Sequence, residues 1–391
     1  MLPRASWGRD RHSRNEEQAP LLDCKLRSYD RTRRPCARSG GPDDDQRPLG
    51  EIWMSKLDDD IKLSSLTIPG THDSAAFTTP WPFIQTQKMT IMEQLNAGIR
   101  YFDLRCGLRD DVLVMVHGAA LLGHTLSMVL DAMYLWLLSH PSEALIVQIK
   151  QDRSPERSNI HFAHAIWKSL CQAPARWRTA NTTPTLGHLR GKIQLLRRFT
   201  GPTLQAYGID VTQWQDNPTR PFTISTRHKV QLTIQDHYNF SEPESLPSLV
   251  ATKGGDVVEV LKRAAADTEA GHWYINFASA YEFNLWYQIP PRELAVGGWW
   301  GFRWESGMNP RLCSFLKAQN GRRRYGIVAM DFPDAGSDDL IAELIMTNFG
   351  AEPGATLRFW RGLVGDIGLM LVLAIFITIA MLAFITTRSG R

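Results

Sequence analysis

The segment Leu66–Ser74, LTIPGTHDS, runs from an apolar stretch through a turn into a histidine, an aspartate and a serine. It ends the first of eight apolar runs that recur between residues 51 and 350. Most of these runs are continuous in apolar residues rather than alternating, which is typical of strands covered on both faces. The eight predicted strands are Leu63–Ile68, Ile99–Leu104, Val112–Val116, Ala144–Ile149, Lys192–Leu196, Val230–Ile234, Trp273–Phe277 and Gly326–Met330.

Helical stretches lie between several of these runs. They are Ile91–Ala97, Leu121–Ser139, Ile160–Leu170, Val257–Ala270, Arg311–Ala318 and Leu340–Phe349. Eight strands with helical crossovers in about 300 residues predict an α/β fold of the distorted TIM (β/α)8-barrel type. The barrel is expected to be irregular, because the six residues Cys106–Asp111 are too few for a helix and the chain must return there in extended form.

Composition narrows the class of protein. The 391 residues are 43% hydrophobic and 21% charged, which excludes a disordered chain, a fibrous repeat and a polytopic membrane protein. The net charge of +4, from 44 basic and 40 acidic residues, gives no reason to expect nucleic acid as a partner. Five scattered cysteines without a CxxC pair indicate neither a disulfide framework nor a zinc site. No protein partner is implied.

The two ends differ in character. Residues 1–50 are poor in apolar residues and rich in arginine, which predicts a disordered tail; weak adhesion to anionic lipid is the alternative. Residues 51–350 form the predicted barrel domain, and residues 351–362 a linker. No apolar segment of signal-peptide type follows Met1.

A membrane-spanning helix is predicted at residues 363–387. Its core, Ile367–Ile385, carries no charge, and nineteen helical residues span about 29 Å, close to the hydrocarbon thickness of a bilayer. The expected protein is therefore single-pass and tail-anchored, with the domain of residues 51–350 in the cytosol. The sequence does not indicate which organelle's membrane it would enter. A signal for a glycolipid anchor is the competing interpretation.

Ionisable residues follow seven of the eight predicted strands. In such barrels the active site lies at the carboxyl ends of the strands, so we expect these side chains to face one opening. The candidates are His72, Asp73, Arg105, His117, Lys150, Arg198, Asp236, Tyr238 and Asp331.

Two histidines with separate acids and an arginine suit phosphodiester cleavage by general acid–base catalysis. Asp73 directly follows His72, and successive side chains of a strand diverge, so Asp73 is expected to serve His117. Asp331 ends the last strand, which lies beside the first when a barrel closes, and is expected to serve His72. Arg105 stands where a metal ligand could stand and supplies a positive charge itself, so neither a metal nor a cofactor is expected.

These residues lie in motifs that resemble the X-domain of bacterial-type phosphatidylinositol-specific phospholipase C, a family of PLC-like phosphodiesterases. The resemblance rests on LTIPGTHDS, on RYFDLR at Arg100–Arg105 and on VHG at Val116–Gly118. Four further matches are Pro141-Ser142-Glu143, GKIQLLRRF at Gly191–Phe199, QDHY at Gln235–Tyr238 and WYINFAS at Trp273–Ser279. The resemblance covers roughly residues 51–335.

The resemblance implies a distorted TIM barrel that cleaves phosphatidylinositol to diacylglycerol and a cyclic or hydrolysed inositol phosphate. It implies His72 as general base on the inositol 2-hydroxyl, assisted by Asp331, and His117 as general acid, with Asp73 behind it. Arg105 would contact the phosphate in place of calcium. The residues implied to bind the inositol hydroxyls are Lys150, Arg198, Asp236 and Tyr238.

Tryptophans fit a lipid substrate at a membrane. Trp81 follows the first strand, and Trp299 and Trp300 follow the seventh, so all three are expected at the rim of the site, where indole rings favour a bilayer interface. Packing in the core is the alternative for each of them.

Two other functions stay open at the level of sequence. One is a metal-dependent barrel phosphodiesterase that acts on glycerophosphodiesters or sphingomyelin, and the other is a non-catalytic lipid-binding module at a membrane. Sensitivity to chelation separates the first from the expected enzyme, and turnover of a labelled lipid separates the second.

Overall fold

The computed structural model of the protein describes residues 47–201, 208–242, 245–284, 287–336 and 339–350. Most of the predicted tail (1–50), the linker (351–362) and the predicted membrane helix (363–387) lie outside these ranges. Within them, no helix has the length and apolarity needed to cross a bilayer.

Sixteen strands occur in the described ranges. They are β1 Thr67–Thr71, β2 Tyr101–Arg109, β3 Val112–His117, β4 Ala120–Thr125, β5 Leu145–Gln151, β6 Trp177–Arg178, β7 Ile193–Arg198, β8 Ile209–Asp210, β9 Phe222–Ser225, β10 Gln231–Gln235, β11 Trp273–Phe277, β12 Glu282–Phe283, β13 Gln288–Ile289, β14 Gly297–Trp300, β15 Arg303–Ser306 and β16 Gly326–Met330.

Nine α-helices accompany these strands in the same ranges. They are α1 Leu49–Ile52, α2 Ile91–Ala97, α3 Leu126–Ser139, α4 Phe162–Leu170, α5 Leu186–Leu189, α6 Leu246–Ala266, α7 Pro291–Val296, α8 Met308–Lys317 and α9 Leu340–Met346. The predicted helix at 91–97 is confirmed, and it begins with a capping box between Thr90 and Glu93. The prediction for 121–139 was too long, because residues 120–125 form β4.

Seven central strands lie side by side in the order β7-β5-β2-β1-β16-β11-β10, and each is parallel to its neighbours. β1, β11 and β16 are buried along their whole length, as expected for strands covered on both faces. The α/β class with a parallel sheet is therefore confirmed. The short strands β6 and β8 extend the sheet beyond β7, and β9 extends it beyond β10 in the antiparallel sense.

The third predicted strand is not a strand of this parallel set, which corrects the expectation for 112–116. β3 pairs antiparallel with β2 and then with β4. The reason is the connection, which is only Asp110 and Asp111, both with positive φ of 50° and 60°. A two-residue turn of that kind joins antiparallel strands, whereas a parallel pair needs a long crossover.

The first strand is displaced along the sequence. Residues Leu63–Ser65, which were predicted as its start, form a 3₁₀ turn, and β1 covers Thr67–Thr71. Its register with β16 sets Thr67 opposite Gly326 and Thr71 opposite Met330. The next residue on each strand is therefore His72 on one and Asp331 on the other, which brings the two ends of the domain together.

The amino-terminal end of the barrel is closed by a buried ion pair. Arg100 and Glu143 are both fully buried, with Nη2 to Oε2 at 2.8 Å and Nε to Oε2 at 3.0 Å. Arg100 also donates to the carbonyls of Gly50 and Glu51, and its guanidinium lies 4.6 Å from the ring centroid of Trp136. One pair thus joins α1, α3, β2 and the segment before β5.

The last described segment lies at the same end. Asn348 exchanges two hydrogen bonds of 2.8 Å with the backbone of Thr67, the first residue of β1. Arg47, at the other end of the described chain, donates to the carbonyl of Ser139 at the end of α3. Both ends of the described chain therefore lie opposite the carboxyl ends of the strands.

The buried pair makes a testable contribution to stability. We expect Glu143→Ala to lower the free energy of unfolding by about 3–5 kcal/mol, because it leaves the Arg100 charge buried without its partner. The exposed pair Arg157–Asp110 provides a control, and Asp110→Asn should cost within about 1 kcal/mol. Denaturant unfolding followed by tryptophan fluorescence measures both; equal losses would contradict this role for the pair.

Candidate active site

The expected catalytic side chains come from four strands or the residues that directly follow them. His72 and Asp73 follow β1, Arg105 lies in β2, His117 ends β3 and Asp331 follows β16. The structure brings all five together in one cluster, which the following distances define.

Both the ring and the backbone carbonyl of His72 have hydrogen-bond partners. Its Nδ1 lies 2.8 Å from Asp331 Oδ1, which is the contact expected from the closure of the barrel. Its own carbonyl accepts hydrogen bonds from the side chains of Thr86 and Gln87. Nδ1 is therefore occupied by Asp331, and Nε2 is the ring nitrogen on the side of Asp73.

The pKa values of His72 and Asp331 are both shifted from their ordinary values. Burial, and then the charge of Arg105, hold the pKa of His72 well below its ordinary value. Burial, and then the nearby charge of Asp73, raise the pKa of Asp331 well above its ordinary value. The lowered pKa of His72 favours the neutral imidazole, the form that accepts a proton.

Asp73 contacts both histidines, which corrects the expectation that it faces away from His72. Its Oδ2 lies 3.3 Å from His72 Nε2 and 3.4 Å from His117 Nε2. The reason is its backbone: Asp73 has a φ of +41°, in the left-handed region where the side-chain alternation of a strand no longer holds. Burial raises the pKa of Asp73 to about 6.

Arg105 lies between two buried carboxylates. Its Nε is 3.0 Å from Asp73 Oδ1 and 3.2 Å from Asp103 Oδ2. Burial alone would raise the pKa of Asp103, but the guanidinium groups of Arg105 and Arg198 outweigh burial and lower it. Gln148 donates to the other oxygen of Asp103 at 2.8 Å, so Asp103 is held as an ionised support for Arg105.

His117 reaches the cluster from the β3–β4 hairpin. Its Nδ1 lies 2.8 Å from the carbonyl oxygen of Ile84, and because a carbonyl only accepts, Nδ1 carries the proton. Nε2 is then the atom that faces Asp73. The ring centroids of His72 and His117 are 6.3 Å apart and nearly perpendicular, so both Nε2 atoms point to the same carboxylate oxygen from two sides.

A row of cations crosses the neighbouring strands. In the register of the sheet Arg105 is opposite Lys150, and Lys150 is opposite Arg198. Lys150 Nζ lies 2.5 Å from Asp152 Oδ1, and the Arg198 guanidinium lies 4.2 Å from the ring centroid of Trp214. Three positive side chains on one row make this face suitable for an anion.

Asp236 and Tyr238 follow β10 at the far side of the same opening. Asp236 Oδ2 accepts a hydrogen bond of 2.8 Å from Trp214 Nε1 and lies 3.9 Å from Arg198 Nη2. Tyr238 donates to Asp216 at 2.8 Å and stacks on Tyr281. Trp214 therefore links Arg198 and Asp236, and the polar residues expected at this edge share one surface.

The predicted rim tryptophans differ in exposure. Trp81 and Trp299 are 67% and 69% exposed, whereas Trp300 is half-buried against Tyr287. Trp299 and Trp300 lie in the β14–β15 hairpin, whose tip carries the fully exposed Phe302. Trp81, Trp299 and Phe302 are too exposed to act as core residues, whereas Trp300 packs against the core.

Several residues that support the site were not identified from the sequence. Asp103 could have been found, because it is two residues before Arg105 and a strand places both on one face. Thr86, Gln87 and the Ile84 carbonyl gave no signal, since a loop backbone reveals no partner. Lys253, a buried lysine inside α6, also gave none.

Within the described part of the chain, no group of three or more His, Cys, Asp and Glu side chains is arranged to hold a metal ion. The cluster offers the imidazole of His72 bound to the Asp331 carboxyl, the imidazole of His117 beside Asp73, and the Arg105 guanidinium held by two carboxylates. Such a set can take a proton at one atom, give one at another and hold an anion between them.

Comparison with known proteins identifies relatives that match most of the chain. The profile for "Phosphatidylinositol-specific phospholipase C, X domain" matches residues 66–199. The 1-phosphatidylinositol phosphodiesterase of Listeria monocytogenes is 30% identical over 300 residues, which cover 72% of this chain and 81% of that protein. That of Staphylococcus aureus is 29% identical over 318 residues, which cover 76% and 94%.

Solved structures agree with this relationship. The phosphatidylinositol-specific phospholipase C of Staphylococcus aureus superposes with a TM-score of 0.66 at 27% identity, covering 76% of this chain and 97% of that one. The enzyme of Listeria monocytogenes gives a TM-score of 0.56 at 27% identity, covering 76% and 98%. On these grounds the chain belongs to the phosphatidylinositol-specific phospholipase C X-domain family.

Proposed function

We propose that the protein is a phosphodiesterase that cleaves phosphatidylinositol-type lipids to diacylglycerol and an inositol phosphate. The observation that carries the proposal is the convergence of two imidazole Nε2 atoms, from His72 and His117, on one carboxylate oxygen. The relatives that cover most of the chain are 1-phosphatidylinositol phosphodiesterases. Turnover of phosphatidylinositol with identification of both products tests it.

His72 acts as the general base. Its Nε2 removes the proton of the inositol 2-hydroxyl, whose oxygen attacks phosphorus to form a cyclic phosphate. The gained positive charge is shared with Asp331 through the 2.8 Å contact at Nδ1. The lowered pKa of His72 keeps the ring neutral, and so ready to accept a proton, at neutral pH.

His117 acts as the general acid. As the bond from phosphorus to the glycerol oxygen breaks, Nε2 of His117 gives its proton to that oxygen, and diacylglycerol leaves. Asp73 Oδ2 lies 3.4 Å from this nitrogen, so a carboxylate stands beside the atom that transfers the proton. When water opens the cyclic phosphate in a second step, the roles reverse: His117 accepts a proton from the water, and His72 gives its proton to the inositol oxygen.

Arg105 stabilises the charge that develops on the phosphate oxygens. It is 13% exposed, so it opens toward the substrate while Asp73 and Asp103 fix its position. A guanidinium presents donors in the geometry that a phosphate accepts. We therefore propose a site that works without a metal ion.

The inositol ring is bound by Lys150, Arg198, Asp236 and Tyr238. Their shared surface beside Trp214 offers both donors and acceptors, which a polyol requires because each hydroxyl can donate and accept. The three cations of the register row contribute to binding of the anionic headgroup.

The exposed aromatic rim contacts the lipid surface. Trp81, Trp299 and Phe302 combine large apolar area with exposure, and indole is favoured at the boundary between headgroups and acyl chains. We also propose that residues 363–387 span a membrane, on the strength of the uncharged run 367–385, with the catalytic domain on the cytosolic side.

The first prediction from this mechanism concerns the two histidines. We expect His72→Ala and His117→Ala each to lower turnover of phosphatidylinositol by about 10²–10⁴-fold, because each removes a proton-transfer group. His161→Ala, at an exposed position outside the cluster, should leave turnover unchanged. Rates on detergent-dispersed lipid measure this, and more than about a tenth of wild-type activity in either variant would refute its role.

The second prediction concerns the cation at the phosphate. We expect wild-type activity to be unaffected by EDTA and not raised by calcium, and Arg105→Gln to lose about 10²–10³-fold in rate. Arg109→Gln, on the same strand but away from Asp73, is the matched control. Activity that is lost on chelation and restored by calcium would move the protein to a metal-dependent class.

The third prediction concerns the rim. We expect Trp299→Ala combined with Phe302→Ala to lower the rate on lipid vesicles about tenfold or more, since burying one large apolar side chain is worth about 1.5–3 kcal/mol. The rate on a monomeric short-chain substrate should change less than about twofold. Leu135→Ala, equally exposed on α3, is the control; equal effects on both substrates would argue against an interfacial role.

A further inference from the structure

Lys253 is a lysine with no exposed surface at all, in the second turn of α6. Its Nζ donates to Gln235 Oε1 at 2.9 Å and to the backbone carbonyl of His237 at 2.5 Å. Burying an ammonium group is unfavourable unless hydrogen bonds compensate for lost water. If this position only filled space in the core, an apolar side chain would do so without the free-energy cost of burying a charge.

Both acceptors flank one residue of the headgroup subsite. Gln235 precedes Asp236 and His237 follows it, so Lys253 holds the chain on each side of that carboxylate. Gln235 Oε1 also accepts from the amide of His237 at 2.8 Å, and Gln235 Nε2 donates to Asn276 Oδ1 at 2.9 Å. The turn after β10 is thus fixed by one ammonium group and one side-chain amide.

The next turn of α6 supports the same segment. Asp256 Oδ2 lies 2.9 Å from His237 Nδ1, three residues after Lys253 on the same face of the helix. Burial raises the pKa of Asp236, and the charges of Arg198, of Arg105 and, least of these, of Lys253 lower it. Lys253 therefore acts on the position and on the ionisation of Asp236.

We propose that Lys253 is a positioning residue for the headgroup subsite, which holds residues 235–238 so that Asp236 and Tyr238 meet the hydroxyls of a polyol phosphate. The inference rests on the proposed function, since it assigns a role within the same site. Lys253 touches neither substrate nor the reacting atoms, because its surface is wholly covered by protein. Its removal should therefore weaken binding more than the chemical step.

The test is a Lys253→Met variant of the full chain, compared with Lys262→Met at an exposed position of the same helix. On a monomeric phosphatidylinositol analogue, Lys253→Met should raise KM about tenfold to hundredfold, since small misplacements of binding groups cost that much, and change kcat less than about threefold. Binding of inositol 1-phosphate by calorimetry should weaken by the same factor. Lys262→Met should alter neither quantity.

Two outcomes overturn the proposal: an unchanged KM, or a raised KM accompanied by a fall in kcat of the same factor or more. If Lys253→Met does not fold, as judged by its thermal unfolding, Lys253→Gln is measured by the same criteria, because its amide keeps one donor and removes the charge. Failure of the proposed function looks different, because the wild-type protein would then neither cleave the analogue nor bind inositol 1-phosphate.

Discussion

Parallel pairing between the first and the last strand is the constraint on which the site depends. β1 and β16 are joined over five residue pairs, and this pairing brings His72 and Asp331, 259 positions apart in sequence, to a 2.8 Å contact. A contact between such distant residues costs chain entropy that local structure cannot repay. The covered parallel strands and the buried Arg100–Glu143 pair provide stabilisation that offsets this cost.

Charge compensation governs the rest of the cluster. Asp73, Asp103 and Asp331 are nearly inaccessible to water, so three carboxylates share a small volume with one guanidinium and two imidazoles. Arg105 contacts two of the acids and His72 lies between the first and the third. The cluster is thus a set of mutually dependent charges in which changing one group alters the proton affinity of the others.

The sequence predicted the strands and the residues at their ends because apolar runs and polar terminators are local signals. It also predicted the His72–Asp331 contact, since barrel closure follows from topology. It failed where the backbone departs from regular geometry: the left-handed φ of Asp73 decides which histidines it meets, and two such residues at Asp110 and Asp111 reverse β3. The roles of the Ile84 carbonyl and of Lys253 depend on partners far away in the chain, which a single sequence does not reveal.

Both ends of the described chain lie at the base of the barrel, and the aromatic rim lies at its top. Along β1 alone the five residues from Thr67 to the level of His72 cover about 17 Å, and the twelve residues 351–362 extend over at most about 40 Å. The distance from residue 350 to the level of the rim is therefore a large part of what these twelve residues can span. For the membrane helix proposed at residues 363–387, the length of this segment would decide whether the rim meets the bilayer that holds that helix or a second bilayer.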